Sequence, residues 1–167
     1  MSIPNLHRTK NSLPEAVRAQ AVDLLNRHLA CAVDLKAQAK QAHWNVKGSD
    51  FIALHELFDK VADEAEGFVD LIAERITALG GVAEGTVQIA AQRTALPPYP
   101  TNIFSGPDHL DSLSTALSLF GKSVREAIDT AAGFGDADTA DLFTAVSRYL
   151  DQSLYFLESH LQTEPRG

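Results

Sequence analysis

Four side chains able to ligate a metal recur along one stretch of the chain: His55, Asp59, Asp70 and Glu74. On a helix advancing roughly 100° per residue, Asp59 lies at about 40°, Asp70 at about 60° and Glu74 at about 100° from His55. They therefore form a stripe. Leu54, Phe58, Val61, Ala65, Phe68, Val69, Ile72, Ile76 and Leu79 form a second stripe, centred at about −80° on the same scale. The polar stripe thus points away from the subunit's own core. Imidazole nitrogens and carboxylate oxygens suit Fe(II), Mn(II) or Zn(II) rather than thiophilic metals. His43, just ahead of this helix, adds another imidazole. A solvated helix face has the same composition, and residue types alone leave both readings open.

Axial spacing narrows the choice. Asp59 and Asp70 are eleven residues apart, roughly 16 Å along a helix at about 1.5 Å per residue. Metal–ligand bonds are about 2 Å long, so one helix cannot bring both pairs to one ion. A second copy running antiparallel across a two-fold axis can. It would set His55 and Asp59 of one chain against Asp70 and Glu74 of the other, making two equivalent intersubunit sites.

The elements that must position these residues read as helices. Ser12-Leu13-Pro14-Glu15 has a capping residue, an early proline and a capping-box acid, and predicts a helix running to about Asn45. Gly48-Ser49-Asp50 forms the turn and next cap. The second helix then runs to Leu79, where Gly80-Gly81 ends it. Val82 to Ser105 contains Pro97-Pro98 and Pro100, so it reads as a long crossover with one short helix over Thr86 to Gln92. Ser105-Gly106-Pro107-Asp108 starts a third helix that stops at Gly133-Phe134-Gly135, and Asp136 caps a fourth that reaches about Leu161. The fold class is all-α: four long helices, with the short helix in the long crossover between helices two and three. One long crossover marks the ferritin-like four-helix bundle. The expected organisation is a flexible N-terminal tail over 1–12, the bundle over 13–162 and a short C-terminal tail over 163–167.

At 167 residues the chain can bury one sizeable core without disulfides. Its single cysteine, Cys31, is expected to be apolar filler. No apolar run approaches the roughly 20 residues of a membrane span, and Met1 to Lys10 lacks a signal-like segment, so a cytoplasmic protein is expected. With 14 basic and 22 acidic residues the net charge is −8, which attracts cations and repels nucleic acid in bulk.

His43-Trp44-Asn45-Val46-Lys47-Gly48, then Phe51 to Asp59 with His55, then Asp70-Leu71-Ile72-Ala73-Glu74-Arg75-Ile76 and Leu79-Gly80-Gly81 together resemble the Dps family, the bacterial miniferritins. Asp138-Thr139-Ala140-Asp141 and Ser147-Arg148 extend the resemblance, which covers about Ala21 to Leu161. It implies a hollow dodecameric shell with a di-iron ferroxidase centre at each two-fold interface. His43, His55 and Asp59 would come from one chain, and Asp70 and Glu74 from its partner. Fe(II) would be oxidised there, by hydrogen peroxide or oxygen, and stored as ferric mineral. The Glu-x-x-His motif of larger di-iron bundles is absent from this chain, which favours an intersubunit site. By resemblance Trp44 lies near the centre and intercepts stray oxidising equivalents; packing at the dimer interface is its other reading.

Asp136, Asp138 and Asp141 resemble the acids lining the family's iron-entry pores, although helix starts favour Asp anyway. His7, His28, His109 and His160 match no ligand position and are expected on helix surfaces or in tails. The family's DNA-binding members carry lysine-rich tails. Here the start offers His7, Arg8 and Lys10, and the end sets Arg166 against Glu164. Weak or absent DNA binding is expected. The alternative function is a nucleoid-associated DNA binder for which iron oxidation is secondary.

Overall fold

The computed structural model describes residues 6–162. Its elements in chain order are α1 (Glu15–Asn45), α2 (Phe51–Ala78), α3 (Val87–Arg93), α4 (Gly106–Gly133) and α5 (Ala137–Ser159). α1 packs along α2 and α4 along α5, while α1–α4 and α2–α5 contacts close the bundle and α3 lies against α1. The all-α bundle with a short helix in its crossover is therefore the observed architecture. No described helix is long and apolar enough to cross a membrane.

The core follows from the apolar stripes. On α2, Leu54, Phe58, Val61, Ala65, Phe68, Ile72 and Ile76 are buried, with Leu79 just beyond its end, and Val69 packs on their edge. Phe58, Phe120 and Phe143 are its largest fully enclosed side chains, one each from α2, α4 and α5. Each such burial stabilises the fold by about 1.5–3 kcal/mol. Cys31 is buried and unpaired within this cluster.

Two helix ends are closed by the same device. Gly81 N–H bonds to the Ile76 carbonyl and Gly80 N–H to that of Thr77, with Gly80 at φ +87°. Asp136 N–H bonds to the Ala131 carbonyl and Gly135 N–H to that of Ala132, with Gly135 at φ +89°. These are Schellman closures, which place a residue in the left-handed region where glycine is unstrained. Asp136 then serves the next helix as well: its carboxylate accepts the Thr139 N–H and caps α5. Ser105 likewise accepts the Asp108 N–H and caps α4.

Two expected caps differ. α1 begins at Glu15 with Pro14 in the cap position and no side-chain cap bond. Ser12 does not cap it, because Asn11 accepts the Leu13 N–H and the Pro14 carbonyl accepts from Arg18. Asp50 holds the cap position of α2, but its carboxylate takes the Ser49 hydroxyl rather than a helix N–H. Of the expected tails, 1–5 and 163–167 lie outside the described residues. In the remainder of the first, Leu6 packs on the core and His7 N–H bonds to the Gly80 carbonyl.

Candidate metal centre

Five residues separate the end of α1 at Asn45 from the start of α2 at Phe51, which packs back along it, so the last turn of one helix faces the first turns of the other. The final carbonyls of any helix lack intrahelical partners. One of them, on His43, receives Nδ1–H of His55 at 2.8 Å. His43 Nδ1 in turn donates to the His55 carbonyl at 2.8 Å. The rings stack, with centroids 3.7 Å apart and 22° between planes. A carbonyl only accepts, so each Nδ1 carries the proton. Each Nε2 is thereby left as a lone-pair donor in a fixed orientation, as metal-ligating histidines require.

Asp59, one turn beyond His55, completes this half. Its Oδ1 lies 2.5 Å from Lys40 Nζ and 3.8 Å from His43 Nδ1. The Lys40 hydrogen bond holds the Asp59 carboxyl below the usual carboxylate range. The ammonium thus stands on the oxygen that a divalent cation would take. Lys40 lies one turn before His43 on α1, and sequence reading passed over it because its partner is across the turn, on another helix.

The other two expected ligands are placed differently. Asp70 and Glu74 sit one turn apart on the exposed face of α2. Among the described residues neither carboxylate takes part in an ion pair or a side-chain hydrogen bond. Nor does any group of three His, Cys, Asp or Glu among the described residues come close enough to hold a metal ion. One chain offers two half-sets separated along α2. Trp44, beside His43, is 64% exposed.

Next to Glu74, Arg75 ties α2 to the start of α5. Its guanidinium reaches Asp136 at 2.7 Å and Thr139 Oγ1 at 3.1 Å. Asp136 is 1% exposed and committed to that pair and to its cap. Asp138 and Asp141 are exposed. The three acids are therefore unlike: Asp136 is a buried capping residue, Asp138 is exposed with its carboxylate 3.7 Å from the Arg75 guanidinium, and Asp141 is exposed.

Two histidines depart from expectation. His28 is buried, with Nδ1 on the Leu24 carbonyl and Nε2 within 3.1 Å of Ser123 Oγ. His109 is 1% exposed and bonded to the Tyr99 hydroxyl. Burial lowers the pKa of both. Both lie on core faces, which a polar residue type conceals. His7 and His160 are exposed as expected.

A bundle with one long crossover and a carboxylate–histidine stripe on its second helix is a ferritin-like protein, and residues 22–166 match the family described as Ferritin-like domain. Over 156 residues the chain is 46% identical to the DNA protection during starvation protein of Agrobacterium fabrum, covering 93% of this chain and 96% of that one. DpsC from Streptomyces coelicolor shares the fold with a TM-score of 0.92 at 30% identity, over 100% of this chain and 98% of that one. Dps from Microbacterium arborescens in its high iron form gives 0.84 at 32%, over 92% and 99%. The chain belongs to the Dps family.

Proposed function

We propose that this protein oxidises Fe(II) at centres shared between two copies and stores the product as ferric mineral inside a dodecameric shell. The observation that carries this reading is the division along α2: His55 and Asp59 at one end, joined there by His43 of α1, and Asp70 and Glu74, unpaired among the described residues, roughly 16 Å further on. An antiparallel second copy joins the two halves. The donor set fits the substrate: two neutral imidazoles and three carboxylates suit Fe(II) and leave positions open for an oxidant.

The chain's own groups have distinct tasks. The reciprocal His43 and His55 hydrogen bonds aim both Nε2 lone pairs before any metal arrives. Lys40 neutralises Asp59 until Fe(II) displaces the ammonium. Asp70 and Glu74 supply negative charge from the second copy. Two neighbouring Fe(II) ions each give one electron to hydrogen peroxide, whose O–O bond breaks to yield two hydroxides. The one-electron route that releases hydroxyl radical is thereby avoided. Asp138 and Asp141 draw Fe(II) toward the shell wall.

A DNA-binding reading is favoured by the name of the Agrobacterium relative and by exposed Arg8 and Lys10. Against a net charge of −8 per chain we expect at most salt-sensitive binding, even with twelve copies acting together. A gel shift at near-physiological salt should show no complex. Cytoplasmic residence, with or without nucleoid association, fits both readings.

The test is anaerobic Fe(II) loading followed by peroxide, with ferric absorbance as the readout. Replacing Asp70 and Glu74 together by Ala should slow oxidation by more than about 100-fold, beyond the loss seen for a mere supporting partner, with assembly retained. Equal, slow rates in both proteins would reduce the stripe to a polar interface.

A further inference from the structure

The crossover carries a tyrosine into contact with a buried base. Tyr99 stands in the run Pro97-Pro98-Tyr99-Pro100, where proline restricts the backbone on both sides. Its hydroxyl lies 2.8 Å from His109 Nδ1 in the first turn of α4. His109 is enclosed, and its Nε2 has no hydrogen-bond partner among the described residues. On its other side the imidazole meets the Phe58 ring, centroids 6.2 Å apart. Phe58 immediately precedes Asp59, so the pair is packed against the helix that carries the metal ligands.

Desolvation keeps the ring neutral, and burial pushes the Tyr99 phenol above its ordinary value. The resting state is therefore an intact phenol beside a neutral imidazole. Tyr99 donates to Nδ1 when the ring's own proton is on Nε2, the tautomer that the bond requires if the phenol is the donor. A phenol that loses an electron becomes a very strong acid, so its oxidation is easy only where a base can take the proton. His109 Nδ1 is such a base, already at hydrogen-bond distance. Neither of the other two tyrosines, Tyr149 and Tyr155, has a base at its hydroxyl among the described residues, and both are exposed.

We propose that Tyr99 and His109 form a redox-active pair that takes up one-electron oxidising equivalents escaping the paired-iron chemistry on α2. This role rests on the ferroxidase reading for its source of oxidant. When peroxide meets a single Fe(II), the products are Fe(III), hydroxide and a hydroxyl radical. The radical takes one electron from Tyr99 and becomes hydroxide. The phenol O–H bond breaks, the proton moves to His109 Nδ1, and a neutral tyrosyl radical remains beside an imidazolium. Fe(II) arriving later can return the electron, and the proton then moves back.

The experiment has two arms, both read by freeze-quench high-field EPR, which resolves a hydrogen-bonded tyrosyl radical from a free one. In the metal-free arm, a photogenerated ruthenium(III) polypyridyl complex oxidises the protein carrying Tyr149→Phe and Tyr155→Phe. A hydrogen-bonded tyrosyl signal is expected. Adding Tyr99→Phe should abolish it, and His109→Gln should cut its yield several-fold and remove the hydrogen-bond signature. In the second arm, one Fe(II) per centre is followed by peroxide. The same signal should appear, and Tyr99→Phe should remove it while leaving the ferric absorbance rate unchanged. A signal that survives Tyr99→Phe, or is indifferent to His109→Gln, would overturn the pair. A signal in the metal-free arm alone would overturn its link to iron. Failure of wild-type protein to oxidise iron would instead strike the ferroxidase reading, and the metal-free arm would still decide whether the pair is redox-active.

Discussion

At the N-terminal end of α2, His55 and Asp59 are held by α1 through two carbonyl hydrogen bonds and the Lys40 ion pair. At its C-terminal end, Asp70 and Glu74 have no side-chain partner among the described residues, while the adjacent Arg75 is tied to α5. On the proposed reading, one helix thus carries a half-site that α1 helps to finish and an unfinished one. The finished half orders its donors within the chain, so little ordering is left for the moment of binding. The unfinished half keeps its backbone fixed through Arg75 and its carboxylates free. That is what a surface requires if its partner is a second copy.

Breaking the anchor should have the largest effect. Asp136→Ala leaves the Arg75 guanidinium without its buried partner and α5 without its cap, at a cost of about 3 kcal/mol. Thermal unfolding should register a fall of roughly 6–12 °C for a domain of this size. Asp138→Ala, removing an 84% exposed carboxylate 3.7 Å from the same guanidinium, should change stability by less than about 0.5 kcal/mol. Equal losses would mean that the buried pair is not the anchor.

The two halves should also respond differently to truncation in metal-free protein. His55→Ala removes a bond to the His43 carbonyl and should cost about 1–2 kcal/mol in denaturant unfolding. Glu74→Ala should stay within about 0.5 kcal/mol of wild type or stabilise it, since no side-chain bond among the described residues is lost. A loss at Glu74 as large as at His55 would erase the contrast.

Lys40 provides a finer probe. Because it holds the Asp59 carboxyl low, the pair's small, solvent-screened contribution is present above the ordinary carboxylate pKa and is lost as pH falls through the lowered value. Lys40→Ala should move the Asp59 titration upward, as followed by carboxyl carbon NMR, and should tighten binding of redox-inert Zn(II). An unmoved titration would separate Lys40 from the site. The smallest expected effect concerns Cys31, whose thiol burial pushes up. It should resist aromatic disulfide reagents at neutral pH until the protein unfolds.

Much of this was legible in the sequence wherever the signal was local. The Ser105 and Asp136 caps, the closing glycines and the opposition of the two α2 stripes all depend on residues within a few positions of each other. What escaped depends on distant partners. Ser12 has the right type and spacing for a cap, but Asn11 and Pro14 organise that turn instead. Lys40 meets Asp59 across a helical hairpin, Arg75 meets Asp136 across the bundle, and His28 reaches Ser123 on α4. No periodicity encodes such pairs. The stripe revealed the candidate ligands, but not which half of it one chain would complete.

The most direct measurement is complementation between two defective proteins. One carries His43→Ala, His55→Ala and Asp59→Ala; the other carries Asp70→Ala and Glu74→Ala. Each alone should oxidise Fe(II) no faster than buffer. Dissociated, mixed in equal amounts and reassembled, half of the two-fold pairs are mixed, and each mixed pair contains one intact centre. About a quarter of the wild-type rate should therefore return. Recovery at that level would place the two halves of every centre on different chains. No recovery from well-formed mixed assemblies would contradict the shared site.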